Sequence, residues 1–171
     1  MIKMRWKIWA FAVAMALVAL GAEKDIEKQG DAFQIALPVA ALACSLTNGQ
    51  ALGFLARYGV QLVLVHGPKN LLAEASINQR PNGSFRGFPS GHSATAMLGA
   101  SNLAFECFRG HPIVQASAFA LAGFVGYSRV EADAHYPWQV LAGFLIGFAC
   151  DRVFRRRRNF KSLFNRNRGG D

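Results

Sequence analysis

Residues 112–153 read PIVQASAFALAGFVGYSRVEADAHYPWQVLAGFLIGFACDRV. Two apolar runs, 112–127 and 135–153, flank a short polar segment that contains Ser128 and Arg129. Because about 20 apolar residues are enough for a helix to cross the hydrocarbon of a bilayer, these runs predict two membrane helices. The polar segment between them is then a loop at one face of the membrane.

Four further apolar stretches precede this pair, at 6–22, 33–47, 53–72 and 91–107, and polar or Gly- and Pro-marked breaks separate them. The stretch 33–47 is the shortest of the four. Six spans would take up about 120 residues and leave only short loops in a chain of 171 residues. The predicted fold class is therefore all-α, an integral membrane bundle of about six transmembrane helices in a single domain, 1–171.

The composition supports a membrane protein and excludes several other classes. Apolar residues make up 52% of the chain and charged residues 17%, and the mean hydropathy is +0.18. A water-soluble domain carries nearer to roughly a quarter of charged residues, and collagen-like and disordered chains have other compositions. The three cysteines, Cys44, Cys107 and Cys150, are odd in number and lack C-x-x-C spacing, so we interpret them as small packing residues.

The positive charge is concentrated after the last apolar run. The formal net charge is +9, and eight of the 19 Lys and Arg residues lie between Arg152 and Arg168. A basic segment in this position is typical of the cytoplasmic side of a membrane protein, where it can also contact anionic lipid. The spacing of aromatic residues does not match a base-stacking module. We therefore predict a basic cytoplasmic tail, 152–171, the bilayer as a partner, and no binding of nucleic acid.

The distribution of Lys and Arg also predicts the orientation. With both termini in the cytoplasm, the inner segments hold thirteen of these residues and the outer segments hold six. The positive-inside rule favours this arrangement. The loops near 73–91 and 128–134 then emerge together at the outer face, which is the periplasmic face of a bacterial inner membrane.

The two outer loops contain side chains that can bind phosphate. They carry Arg80-Pro81, Pro89-Ser90-Gly91-His92, Ser128-Arg129 and His135. Cations and histidines beside a bilayer are costly unless they share an anionic ligand, and phosphate is the natural one. Arginine offers a planar fork that matches phosphate oxygens, and Ser90-Gly91 at the start of a helix would point free N–H groups at the same anion.

The order and spacing of these blocks resemble the type-2 phosphatidic acid phosphatase superfamily, whose pattern is K-x6-R-P, then P-S-G-H, then S-R-x5-H-x3-D. The resemblance covers the motif region 69–147, and three blocks in register make it specific. It implies six spans. For that reason we expect the first apolar stretch, 6–22, to be a retained helix rather than a signal peptide cleaved near Ala19 to Ala22.

The resemblance implies a role for each matching residue. His135 would be the nucleophile that takes the phosphoryl group as a phosphohistidine, and His92 would be the acid that protonates the departing alkoxide. Arg80, Arg129 and the amides of Ser90 and Gly91 would hold the phosphate oxygens and stabilise the transition state. Neither a metal nor another cofactor is expected.

The lysine block is the first place where the chain departs from the family pattern. The family lysine would stand at Ala73, whereas Lys69 lies one helical turn earlier on the same helix face. We therefore count Lys69 among the phosphate-binding residues.

The second departure concerns the family aspartate that orients the nucleophile, which is replaced by Gln139. We keep Gln139 among the catalytic residues because its amide oxygen can accept a hydrogen bond from Nδ1 of His135. Its NH₂ group, however, could select the wrong tautomer of the imidazole. Asp133 and Glu131 of the loop are the alternative orienting carboxylates.

These residues predict an integral membrane phosphatase that hydrolyses a lipid phosphate or diphosphate at the periplasmic face without a metal. Substrates as different as phosphatidate and undecaprenyl diphosphate fit the motifs equally well. The uncharged Gln139 and the displaced lysine favour an alternative, a catalytically weakened member that binds phospholipid head groups. A lipid phosphotransferase would use the same residues with another acceptor, and the oligomeric state stays open.

Overall fold

The structure, a computed structural model, describes the backbone of residues 2–21 and 25–166 and the side chains of 6–17 and 25–153. This part of the chain contains six α-helices and no strands, which confirms the all-α prediction. The helices are α1 (Ile2–Gly21), α2 (Ile26–Thr47), α3 (Ala51–Leu71), α4 (Gly91–Asn102), α5 (Pro112–Glu131) and α6 (Pro137–Arg166). Residues Ala22 and Lys24, and the side chains of Lys3, Arg5 and most of the predicted tail, lie outside the described part.

Every predicted apolar stretch overlaps a helix, but α2, α5 and α6 extend beyond their apolar residues, α6 as far as Arg166. α2 begins at Ile26, where the carboxylate of Asp25 caps the helix by accepting the N–H of Glu27 at 3.0 Å. α5 continues to Glu131, so Ser128 and Arg129, expected in a loop, belong to its last turn. The prediction failed there because it followed hydropathy, whereas polar residues can stay helical when another helix offers them partners.

Two of these helices are long and apolar enough to cross a membrane by the described residues alone, Ile26–Thr47 and Pro112–Glu131, and a shorter apolar helix covers Trp6–Leu17. α3 carries Arg57 and Gln61, and α6 carries Asp151, all buried, and these polar residues lower the hydropathy of their helices. Arg57 Nε lies 3.4 Å from a carboxylate oxygen of Asp151, and Ser101 Oγ donates to the other oxygen at 2.8 Å. This buried group joins α3, α4 and α6.

α4 lies at the centre of the bundle, in contact with α2, α3, α5 and α6. Glycines allow α6 and α2 to approach α4 closely. On α6, a Cβ atom on Gly143 would overlap the backbone of Ser90, and one on Gly147 would overlap the backbone of Ala94. A Cβ on Gly99 of α4 would lie 2.7 Å from the α2 backbone at Leu37. Glycines spaced four apart are a common helix-packing device in membranes.

The cysteines differ from the prediction. Cys44, near the end of α2, and Cys107, in the π-helical turn Leu103–Cys107 that follows α4, form a disulfide across 63 residues. The interpretation as packing residues is therefore wrong for this pair. Cys150 is buried and free, as expected of a packing residue. Sequence spacing gave no sign of the bond because it depends on α2 and α4 running parallel and ending at the same level.

Candidate active site

A cavity of about 470 Å³ opens at the end of the bundle where α2, α4 and α6 begin and where α3 and α5 end. The predicted residues Lys69, Arg80, Gly91, His92, Arg129 and His135 all border it. The fold therefore brings together groups that are up to 66 residues apart in the sequence, from Lys69 to His135. Asp31 and Glu27 of α2, which the sequence analysis did not single out, border the same cavity.

The loop between α3 and α4 is held in place by Asn78, which is fully buried. Its side-chain NH₂ donates to the carbonyls of Lys69 and Ala73 at 3.0 and 2.7 Å, and its amide oxygen accepts the N–H of Phe88 at 3.0 Å. The N–H of Gly87 donates to the Asn78 carbonyl at 2.7 Å. These four bonds fix both ends of the segment that carries Arg80.

Ser90 caps the N-terminus of α4. Its side chain accepts hydrogen bonds from the N–H and the hydroxyl of Ser93, at 3.4 and 2.9 Å. The cap leaves Gly91 and His92 in the first turn, where the unpaired N–H groups of a helix start attract anions. Gly91 borders the cavity, whereas Ser90 is fully buried and its N–H donates to the carbonyl of Gln139 at 3.0 Å, so the predicted contact of this amide with phosphate is not available.

His135 lies in the loop between α5 and α6, and its Nδ1 is 3.2 Å from Oε1 of Gln139. The Gln139 NH₂ donates to the backbone carbonyls of Gln79 and Ile77 at 2.8 and 3.3 Å, and Oε1 also accepts the N–H of Tyr136. Because the NH₂ group must face the two carbonyls and Oε1 must face the N–H of Tyr136, the Gln139 amide has only one favourable orientation. Oε1 faces His135 and can only accept, which favours the tautomer with the proton on Nδ1 and an unprotonated Nε2.

Gln139 is the side chain that the structure places against Nδ1 of His135. Of the two alternative carboxylates, Glu131 accepts a hydrogen bond from Tyr127, and Asp133 lies in a turn with positive φ. Burial and the nearby charge of Lys69 lower the pKa of His135 to about 4, against the opposing effect of its hydrogen bonds. The ring is therefore neutral at neutral pH.

Lys69 reaches the cavity from the last turn of α3, although it stands one turn before the family position. Its side chain is buried and donates to the carbonyl of Arg86 at 3.0 Å. Arg80 Nη2 donates to the same carbonyl at 3.3 Å, while Arg80 Nε is buried without a hydrogen-bond partner among the described residues. The two cations therefore converge on one side of the cavity.

Arg129 approaches from the opposite side and is almost completely buried. Its guanidinium lies 3.0 Å from Asp31 Oδ1 and 3.6 Å from Glu27 Oε1, and it donates to the Glu27 carbonyl at 2.7 Å. The same Oδ1 of Asp31 is 3.2 Å from His92 Nε2. His92 thus has a carboxylate partner, whereas His135 has a neutral one.

Glu27 and Asp31 were missed because both precede the apolar stretch from which α2 was predicted. A signal was available: they are four residues apart, hence on one helix face, at the start of a helix that then becomes apolar. The described residues contain no group of three or more His, Cys, Asp and Glu side chains that could hold a metal ion.

The comparisons with known proteins agree with the geometry. The sequence model of the PAP2 superfamily matches residues 9–162, which include every residue placed at the cavity. No curated protein and no solved structure matches the chain.

Proposed function

This chain belongs to the PAP2 superfamily, and on that basis we propose that it is an integral membrane phosphatase that hydrolyses a lipid phosphate or diphosphate through a phosphohistidine. Membership itself indicates a phosphatase that acts on phosphate esters. The observation that best supports the finer proposal is the contrast between the two histidines. His135 has a neutral amide partner, whereas His92 has the carboxylate of Asp31.

In the first step, Nε2 of His135 attacks phosphorus, a P–N bond forms, and the ester P–O bond breaks. His92 gives its proton to the leaving alkoxide, and the carboxylate of Asp31, 3.2 Å from His92 Nε2, positions the ring. Lys69, Arg80 and Arg129 surround the three remaining phosphate oxygens and stabilise the charge of the transition state.

In the second step, water attacks the phosphohistidine on the face opposite to His135. His92, now neutral, removes a proton from this water, the P–N bond breaks, and inorganic phosphate leaves. His92 thereby regains the proton that it lost in the first step, so the cycle closes without an added cofactor.

The outward surface of the bundle supports the membrane part of the proposal. Large apolar side chains on several helices are more than half exposed, among them Val63, Ile113, Leu141 and Leu145. A surface of this kind is unfavourable in water and matches lipid. The asymmetry of Lys and Arg favours six spans with both termini in the cytoplasm of a bacterial cell, which puts the cavity at the periplasmic face.

One observation favours a second function. Gln139 cannot balance the positive charge that develops on His135, and a member weakened in this way would bind phospholipid head groups without turnover. A phosphotransferase differs only in the acceptor that replaces water in the second step.

The test is phosphate release by the purified protein in detergent from a panel of lipid phosphates and diphosphates, in the presence of EDTA. We expect release, and trapping of ³²P on His135 after acid-free quenching. His135→Ala should abolish both signals, whereas His111→Ala, at the far end of the bundle, should leave them unchanged. Binding of the lipids without release or trapping would contradict the phosphatase and support the head-group-binding alternative. Phosphorylated glycerol after addition of glycerol would indicate a transferase.

A further inference from the structure

Gln61 of α3 is a buried polar side chain that the proposed mechanism does not use. It has no exposed surface, and neither its amide oxygen nor its NH₂ group has a hydrogen-bond partner among the residues that the structure describes. Buried amides in folded proteins are almost always paired. A side chain of this kind is therefore a candidate for ligand recognition when it borders a cavity.

Gln61 borders the catalytic cavity at a level deeper than the phosphate-binding groups. It shares the buried face of α3 with Val65 and Lys69, at four-residue intervals. Two helical turns, about 11–12 Å, separate its Cα from that of Lys69. Val65, halfway between them, packs next to Gly91 at the start of α4. Gln61 is thus about one turn further from the cavity mouth than Gly91.

Other hydrogen-bonding side chains border this deep part of the cavity. They come from three helices: Gln34 of α2, Tyr58 of α3 and Thr95 of α4. The same three residues also border a groove of about 190 Å³ between α2 and α3, whose other walls include Ile35, Val39 and Leu55. From the mouth of the cavity inward, the lining side chains therefore change from cations to uncharged hydrogen-bonding groups and then to apolar groups.

This order matches one class of amphiphile better than another. A phosphate on glycerol or on a sugar is followed by carbons that carry hydroxyl or ester oxygens, and only then by hydrocarbon chains. A phosphate on an isoprenoid or simple alkyl alcohol is followed directly by hydrocarbon, which would leave Gln61 unpaired against an apolar surface.

We propose that Gln61 binds an oxygen substituent on the carbon next to the phosphorylated carbon, so that the protein selects phosphates of glycerol- or sugar-based lipids over those of plain alcohols. This inference rests on the proposed phosphatase function and specifies its substrate class. Gln61 acts here on specificity, because it lies away from the groups that transfer the phosphoryl group.

The experiment uses a pair of substrates that differ by one oxygen: lysophosphatidate with an acyl chain on carbon 1, and its 2-deoxy analogue. The unmodified protein should turn over lysophosphatidate with a kcat/KM about tenfold higher, the value of one net hydrogen bond to a neutral group. Gln61→Leu, which is similar in volume, should lower kcat/KM for lysophosphatidate by about tenfold and leave that for the analogue unchanged. Gln115→Leu, a glutamine change in α5 outside the cavity, is the matched control and should preserve the preference.

Three outcomes are decisive. If the unmodified protein has nearly the same kcat/KM for lysophosphatidate and for its 2-deoxy analogue, the proposed specificity is contradicted, even if Gln61→Leu does not fold. An equal loss with both substrates in Gln61→Leu assigns the residue to stability and also contradicts the inference. Release from neither substrate nor any lipid in the panel contradicts the proposed function itself, and with it this inference.

Discussion

The orientation of the Gln139 amide predicts that a change to glutamate, the nearest charged isostere, will harm the protein although the family carries a carboxylate at this position. Gln139→Glu replaces the NH₂ group by an oxygen. That oxygen would face the carbonyls of Gln79 and Ile77, which now accept hydrogen bonds at 2.8 and 3.3 Å. An attractive pair of contacts thereby becomes a repulsive one.

The expected loss of stability follows from the two hydrogen bonds that Gln139 donates to the carbonyls of Gln79 and Ile77. Each net hydrogen bond contributes about 0.5–1.5 kcal/mol, and each carbonyl left unpaired in a buried place costs about 1–3 kcal/mol. Because the loop can relax, we expect a loss of roughly 2–4 kcal/mol in the free energy of unfolding at pH 8. Displacement of this loop also moves Arg80, so KM for a lipid phosphate should rise.

The pH dependence of the stability loss tests whether the repulsion between the introduced carboxylate and the carbonyls causes it. At low pH the introduced carboxyl becomes neutral, and its hydroxyl can donate to the Gln79 carbonyl. The deficit relative to the unmodified protein should therefore shrink as the pH falls from 8 to 5. The measurement is thermal unfolding in detergent, followed by intrinsic fluorescence at both values. Gln115→Glu is the control, because Gln115 donates to a single carbonyl, that of Ala104 at 2.9 Å.

A Gln139→Glu variant that is as stable as the unmodified protein at pH 8 would refute the amide orientation. A deficit that grows in acid would refute it as well. Either result would also remove the argument that Nδ1 of His135 carries the proton, since that assignment depends on Oε1 facing the ring.

Three further predictions concern charge and redox state. Asp31→Asn removes the carboxylate 3.2 Å from His92, so the step that uses His92 as an acid should slow. The loss in rate should be large for alkyl esters and small for nitrophenyl phosphate, whose leaving group needs no acid, as measured by comparing the two substrates. Because the pKa of His135 is lowered to about 4, kcat/KM should stay high down to about pH 5 and fall through protonation of the nucleophile near pH 4, in a phosphate-release assay. Because Cys44 and Cys107 form a disulfide and Cys150 is free, alkylation of the unfolded protein without a reductant should label Cys150 alone, and alkylation after reduction should label all three cysteines.

The sequence predicted well what depends on local hydropathy and on fixed motif spacing. All six apolar stretches are helices, and Lys69, His92, Arg129 and His135 border one cavity because each stands at the end of a helix or in the adjoining loop. Lys69 borders the cavity as predicted, but not for the predicted reason, because α3 ends at Leu71 and Ala73 lies outside the helix with a positive φ.

Tertiary arrangement decided what the sequence could not predict. Asp31 and Gln61 belong to no sequence motif, and they border the cavity because α2 and α3 pack around α4. The disulfide between Cys44 and Cys107 depends in the same way on α2 and α4 running parallel, with the π-helical turn after α4 bringing Cys107 level with Cys44. Hydropathy also predicted too short a helix for α2, because the residues that bind Arg129 are its first, polar turns.

The proposed mechanism gives a physical reason for the replaced aspartate. Two-step phosphoryl transfer needs one neutral imidazole and one protonated imidazole in the same cationic cavity. The structure places a carboxylate, that of Asp31, beside His92, and an uncharged amide, that of Gln139, beside His135. The hydrogen bond to Gln139 raises the pKa of His135, but an uncharged amide raises it less than a carboxylate would, and burial and the charge of Lys69 keep the ring neutral. Less stabilisation of the developing charge on His135 is then the cost of a nucleophile that remains available at acid pH.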